Sequence, residues 1–181
     1  NTMNLKDKIL KDLRRIFAGG VNIEKLKKNG LSVGKDCWFG NGVFIDPTFC
    51  CLIRIGNNCT ITSNAHILAH DASTKKALGY TKIGQVCIGN SVFIGANVTI
   101  LPNVKIGDNS VIAAGAVVTK NIPDNEVWGG NPAKYICTLD EYIEKHQKQE
   151  FWSQEALHKL SEEDKVKKLR EITSAGIAYI E

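Results

Sequence analysis

The sequence predicts a parallel β-helix, a coil of short strands turning every six residues, with helical segments at both ends. Three observations predict it. Val or Ile recurs at strict intervals of six, at Ile88, Ile94, Ile100, Ile106, Ile112 and Val118. At 43% apolar composition, six such hits in a row would arise by chance in roughly one frame in 150. Glycine often follows the apolar residue (Gly89, Gly95, Gly107), and a small or apolar residue stands four places after it, as at Val92, Val98, Val104, Ser110 and Ala116. The same rule returns upstream in two shifted blocks: Val33, Phe39 and Ile45, then Ile55, Ile61 and Ile67.

A period of six fits neither the 3.6-residue helix nor the two-residue alternation of an ordinary strand. It fits a coil whose apolar residue points inward, whose Gly, Asn and Asp positions form turns, and whose small residue fills a corner. Each coil covers its face only by stacking on the next. The two breaks in the period must therefore leave the stack as loops and return. One adds four residues between Ile45 and Ile55; the other adds about fifteen between Ile67 and Ile88.

In chain order, residues 1–30 form an N-terminal helical segment: Leu5, Ile9, Leu13 and Ile16/Phe17 recur at helix spacing, and Gly19-Gly20 stop them. A shorter helical piece around Ile23 and Leu26 ends at Asn29-Gly30. The coil occupies 31–137, with an excursion loop at 73–85. Residues 138–181 form a helical extension, in which Thr138 with Glu141 and Ser161 with Asp164 resemble capping boxes. Its apolar stripes (among them Leu139, Tyr142, Ile143, Leu157 and Leu169) suit two or three helices packed on the coil or on a neighbouring subunit.

A length of 181 residues sets an expectation of one domain with a short appendage. No apolar run is long enough to span a bilayer as a helix, and the opening residues lack the layout of a secretion signal. A net charge of +4 suits an anionic cofactor or substrate but falls short of the basic surface of a nucleic-acid binder. The six cysteines show no C-x-x-C spacing and sit among apolar residues, as reduced core thiols of a cytoplasmic protein would. No metal is expected.

The repeat leads into Ala114-Gly115-Ala116-Val117-Val118-Thr119-Lys120-Asn121-Ile122-Pro123 and then Gly130-Asn131-Pro132-Ala133-Lys134. Together these resemble the hexapeptide-repeat acyltransferases, in particular the maltose/galactoside and capsule-sugar O-acetyltransferase branch, over roughly Leu31 to Ile136. The resemblance implies a left-handed coil of triangular section, a homotrimer with active sites between subunits, and acetyl transfer from acetyl-CoA to a sugar-type small-molecule acceptor. Sugar N-acetylation is the alternative chemistry.

Such transfer needs a base to take the acceptor proton, and histidine is best poised for it near neutral pH. Of His66, His70, His146 and His158, the last two lie in the charged tail. His70 stands where the coil breaks into the long loop and resembles the family's catalytic histidine. His66 suits a structural or acceptor-side role. Asp46 falls where the family has an acceptor-binding Asn or Asp; it could hold a sugar hydroxyl, orient the histidine, or serve only its turn before Pro47. Asp71 and Tyr80 complete the acceptor-side set, Asp71 also reading as a loop cap. Lys75, Lys76 and Lys82 give the excursion the charge for an anionic acceptor, against the plainer reading of a solubilising loop. On the donor side the resemblance implies Gly95, Ala96 and Ala114 along the pantetheine arm, Thr119 and Lys120 near the adenine end, and Pro132 and Lys134 toward a phosphate. Cys137 stands where the galactoside enzymes carry a second basic residue.

Two other classes share this kind of coil. A carbonic-anhydrase-type metalloenzyme needs three histidines around zinc, and only His66 and His70 lie in the coil. A non-catalytic trimeric scaffold would use the helical tail as its working part.

Overall fold

The computed structural model describes residues 20–147, 151–174 and 176–180. The helix expected through Leu5, Ile9, Leu13 and Ile16/Phe17 lies outside the described residues. The short helix α1 (Ile23–Lys28) forms where expected. Asn22 Oδ1 accepts the Lys25 N–H at 2.9 Å to start it, and Gly30, at φ 100°, follows its end.

The first coil consists of β1 (Ser32–Val33), β2 (Trp38–Phe39) and β3 (Phe44–Ile45). The second consists of β4 (Ile53–Ile55), β5 (Thr60–Ile61) and β6 (His66–Ile67). An excursion follows, made of β7 (His70–Asp71), helix α2 (Lys75–Leu78) and β8 (Lys82–Ile83). The third coil then runs β9 (Val86–Ile88), β10 (Phe93–Ile94) and β11 (Thr99–Ile100), and the fourth β12 (Val104–Ile106), β13 (Val111–Ile112) and β14 (Val117–Val118). Corresponding strands stack in parallel into three faces, β1-β4-β9-β12, β2-β5-β10-β13 and β3-β6-β11-β14. The periodic residues fall in register down each face: Val33, Ile55, Ile88 and Ile106; Phe39, Ile61, Ile94 and Ile112; Ile45, Ile67, Ile100 and Val118. Most of these are fully buried. Burying one such side chain stabilises the fold by about 1.5–3 kcal/mol, so the column of isoleucines is its main support.

The corners explain the Asn-rich turns. Asn58, Asn64, Asn97, Asn103, Asn109 and Asn125 all adopt φ between 55° and 66°, a conformation that asparagine tolerates better than most side chains. One corner is also tied by a ladder of side chains. The Lys35, Asn57, Asn90 and Asp108 N–H groups donate to Asn57, Asn90, Asp108 and Asp124 Oδ1 respectively, at 2.7–3.0 Å. The Asn90 backbone and side-chain donors hold the Asp108 carboxyl below its ordinary pKa.

Beyond the fourth coil, β15 (Glu126–Gly129) continues the second face in parallel beside β13, and β16 (Lys134–Thr138) returns antiparallel along β15. Trp128 takes the inward position over Ile112 and joins the core cluster.

The chain divides into two compact units, Asn1–Asp140 and Glu141–Glu181. Helix α3 (Leu139–Gln147) begins at the end of the first. The second contains β17 (Phe151–Trp152), α4 (Gln154–His158), α5 (Glu162–Ile172) and β18 (Tyr179–Ile180). Ser161 caps α5 as its motif predicts, its Oγ accepting the Asp164 N–H at 3.1 Å. The parallel pairing of β17 with β18 was not expected from the helical pattern. Two short strands far apart in sequence leave no periodic signal.

Candidate active site

The site is built where the third face ends and the second coil breaks. Ile45 and Ile67 stack in register, so Asp46 and the segment Leu68–His70 leave neighbouring strands side by side. His70 starts β7, which pairs antiparallel with β8 through His70 opposite Ile83 and Asp71 opposite Lys82. The excursion is thus a hairpin carrying one helical turn, anchored at its base by the Gly84 N–H donating to the Ala69 carbonyl at 2.9 Å.

His70 Nδ1 is hydrogen-bonded to Asp46 Oδ2, and Oδ2 also accepts the Ala69 N–H at 3.2 Å. Asp46 Oδ1 accepts the N–H groups of Thr48 and Phe49 at 3.0 and 3.2 Å. Burial by itself would raise the Asp46 pKa. Hydrogen bonds from His70, Phe49 and Thr48, with the His70 charge, outweigh it and hold the carboxyl below its ordinary 3.8. The Phe49 ring packs 5.3 Å from the imidazole, tilted 51°. His70 keeps 34% of its side chain exposed while Asp46 is completely buried. Of the roles the sequence allows Asp46, this geometry is that of the turn and of orienting the histidine. In this chain both its oxygens serve the turn and the histidine, and its fully covered side chain offers no surface to a ligand.

The remaining acceptor-side candidates separate. Asp71 pairs with Lys82 at 2.6 Å and accepts the Ser73 N–H at 2.8 Å; the Lys82 ammonium, and then the Ser73 donors, draw its pKa down to about 2. Its carboxylate therefore ties β7 to β8 at the base of the hairpin. His66 points outward from β6, exposed, with its ring 5.7 Å from Phe44. Tyr80 projects from the hairpin 78% exposed. His146 is bonded through Nδ1 to the Tyr179 hydroxyl in the second unit, and His158 ends α4. Among the described residues, no three His, Cys, Asp or Glu side chains gather in a group that could hold a metal ion.

The donor-side candidates fall on two corners of the coil. Gly95, Ala96 and Ala114 lie where the second face turns into the third, and the Gly115 N–H donates to the Ala96 carbonyl at 2.7 Å there. Gly95 is itself buried. A Cβ on it would meet the Ala114 nitrogen at 2.5 Å and the Ile112 carbonyl oxygen at 2.7 Å, so its lack of a side chain serves coil stacking before any ligand. Residues 130–133 fold over β14, with Val117 N–H donating to Gly130 O at 3.0 Å and Ala133 N–H to Val117 O at 2.8 Å. This leaves Pro132 and Lys134 exposed near the same end. Thr119 and Lys120 lie one corner further on, where the third face turns into the first. Thr119 shares a groove there with Asp71, Lys82, Ile83, Leu101, Pro102 and Asn103. The Lys120 ammonium lies 5.1 Å from the Trp128 ring centroid.

Sequence reasoning missed Phe49 and Trp128 as neighbours of site residues. Stacking offered a signal for the first, because Phe49 follows Asp46 by three residues in the break that precedes the second coil.

A three-sided coil of stacked hexapeptide repeats defines a fold class, the left-handed β-helix proteins, among which are acyltransferases. Comparison with known proteins agrees. Residues 88–120 match the family model described as bacterial transferase hexapeptide (six repeats). Protein CapG of Staphylococcus aureus is 40% identical over 135 residues, covering 71% of this chain and 77% of CapG. The galactoside O-acetyltransferase of Lactococcus lactis subsp. lactis (strain IL1403) is 39% identical over 109 residues, covering 55% of this chain and 51% of that enzyme. The crystal structure of the polySia specific acetyltransferase NeuO aligns with TM-score 0.52 and 29% identity over 59% of this chain and 51% of that one. The chain belongs to the hexapeptide-repeat transferase family. It spans from about half to about three quarters of the length of these relatives.

Proposed function

We propose that this protein transfers an acetyl group from acetyl-CoA to a sugar hydroxyl in the cytoplasm, with His70 as the general base. The observation that carries the reading is the His70–Asp46 pair. With Asp46 ionised, its Oδ2 accepts a hydrogen bond from Nδ1–H, which keeps the ring proton on Nδ1 and leaves Nε2 as the basic nitrogen for the acceptor. Nε2 removes the hydroxyl proton as that oxygen attacks the thioester carbonyl carbon. The C–S bond then breaks, and the departing thiolate takes the proton back from Nε2. Likeness to a galactoside O-acetyltransferase and to a polySia specific acetyltransferase supports a sugar as acceptor. On the hairpin, Lys82 is matched by Asp71, while Lys75, Lys76 and Tyr80 stay exposed on the excursion that begins at His70, in keeping with a sugar that carries negative charge.

We also infer a trimer with shared sites. His70 leaves the third face at its far corner, whereas Ala96 and Ala114 lie at its near corner. A path of about five residues at ~3.3 Å each separates them, roughly 16 Å. A second copy would bring its near corner to the base. Two outer faces suit such packing. Trp38 and Phe93 stand exposed on the second and Phe44 on the third, while the first presents Ser32, Arg54, Cys87 and Lys105. A ring of three copies uses these two faces of each and leaves the first to solvent.

The test is thiol release from acetyl-CoA across a panel of sugar acceptors, parent against His70→Ala. Turnover in the variant is expected to fall by about 10²- to 10⁴-fold, with coenzyme A binding retained. Full activity in His70→Ala would reject the assignment.

A further inference from the structure

We propose that Trp128, anchored by Glu126, is a positioning residue that holds the Lys120 ammonium ready for a phosphate ester of the donor. The proposal rests on the coenzyme A reading above. At 5.1 Å from the ring centroid, Lys120 Nζ lies within the range where an ammonium is attracted to the face of an indole. The indole is itself held from several sides. Its Nε1–H donates to Glu126 Oε2 at 2.6 Å, and the Tyr135 ring meets it edge-on at 6.5 Å. It is 7% exposed, over the end of the apolar column that includes Ile112. The platform under Lys120 is therefore part of the packed core, although Lys120 is a surface residue.

A ring and a carboxylate hold a lysine in different ways. Lys82 lies 2.6 Å from Asp71, and its charge is matched within the chain. Lys120 forms no ion pair among the described residues. The ring quadrupole orients its ammonium but supplies no counter-charge, so net charge and N–H donors remain for an anion. A lysine free in solvent would lose its rotamer freedom on meeting a phosphate; one already laid on an indole has lost part of it beforehand. The residue that the family resemblance puts near the adenine end of the donor is thus preset by two residues of β15 to which that resemblance gave no role.

The experiment measures coenzyme A affinity by calorimetry for the parent, Lys120→Ala, Trp128→Phe, Trp128→Leu, Glu126→Ala, and the last two combined with Lys120→Ala. Trp128→Leu is expected to raise Kd by about 3- to 10-fold, and Trp128→Phe, which keeps an aromatic face, by no more than about 2-fold. Neither Trp128→Leu nor Glu126→Ala should weaken binding further once Lys120 is Ala. Multiplying losses in the double variants, or a Trp128→Phe loss as large as that of Trp128→Leu, would overturn the proposal. If Trp128→Leu does not fold, the Glu126→Ala pair decides alone, since Glu126 lies outside the core cluster. A parent that binds coenzyme A while Lys120→Ala binds it equally well sinks this inference only. A parent that does not bind coenzyme A removes the donor reading itself, and this inference with it.

Discussion

Asp46 and His70 are 24 residues apart in sequence and share one hydrogen bond, in which the buried carboxylate sets the tautomer of the imidazole. Asp46→Asn keeps the size and the turn but removes the charge that fixes that tautomer. It should lower turnover by at least about 10-fold, though less than the loss of the base itself. The variant should also change the acid limb of stability. The folded carboxyl titrates below 3.8, so as pH falls the unfolded chain takes up its proton first. The stability from this pair is therefore fully present above 3.8 and drains away between that value and the lower folded pKa. Denaturant midpoints at stepped pH should show a shallower acid decline in Asp46→Asn than in the parent. Parallel declines would remove the claim that this carboxylate is a stabilising group.

At the level of elements, the coil is held by close contact of successive turns, and the glycines that follow the apolar positions mark where backbone meets backbone. Gly95→Ala is the sharpest test, because its Cβ would lie 2.5 Å from a backbone nitrogen rather than from a side chain able to move. Overpacking at such a site should cost about 1–3 kcal/mol, read as a lowered urea midpoint with unchanged slope. A neutral substitution would mean that the coils can part more easily than this geometry allows. The hairpin follows other rules. Its stem has two paired residues on each side, closed by one exposed ion pair, and its Leu78 and Tyr80 face solvent. Function rather than packing should dominate the effects of change there.

For the whole molecule, the decisive quantity is the number of copies. Light scattering at micromolar concentration should give three times the 19.9 kDa chain mass. Changing both Trp38 and Phe93 to Ser should shift the assembly toward monomer and cut turnover with it, because a lone copy keeps His70 and the Ala96 corner on opposite sides of one face. A fully active monomer would dispose of the shared-site argument.

What was legible in the sequence was what repeats. The six-residue period, its two breaks and the Asn and Gly corners are local patterns, and inward burial forces them to stack in one register. The stacking of coils and the places where loops must leave followed from that, while the three-sided section came from the family resemblance. The short helix at Ile23–Lys28 and the cap at Ser161 were equally readable, since each depends on a handful of consecutive residues. The partners were not legible. That Asp46 turns both oxygens inward, that Asp71 pairs with Lys82, and that Trp128 lies under Lys120 depend on which residues come to lie side by side once the coils stack, the hairpin closes and the chain folds over the open end. Stacking brings residues a full coil apart in sequence to about 4.8 Å from one another, the spacing of neighbouring strands. The period determines that such neighbours exist; only the folded chain decides which side chains, at the breaks and at the open end, meet there and in what geometry.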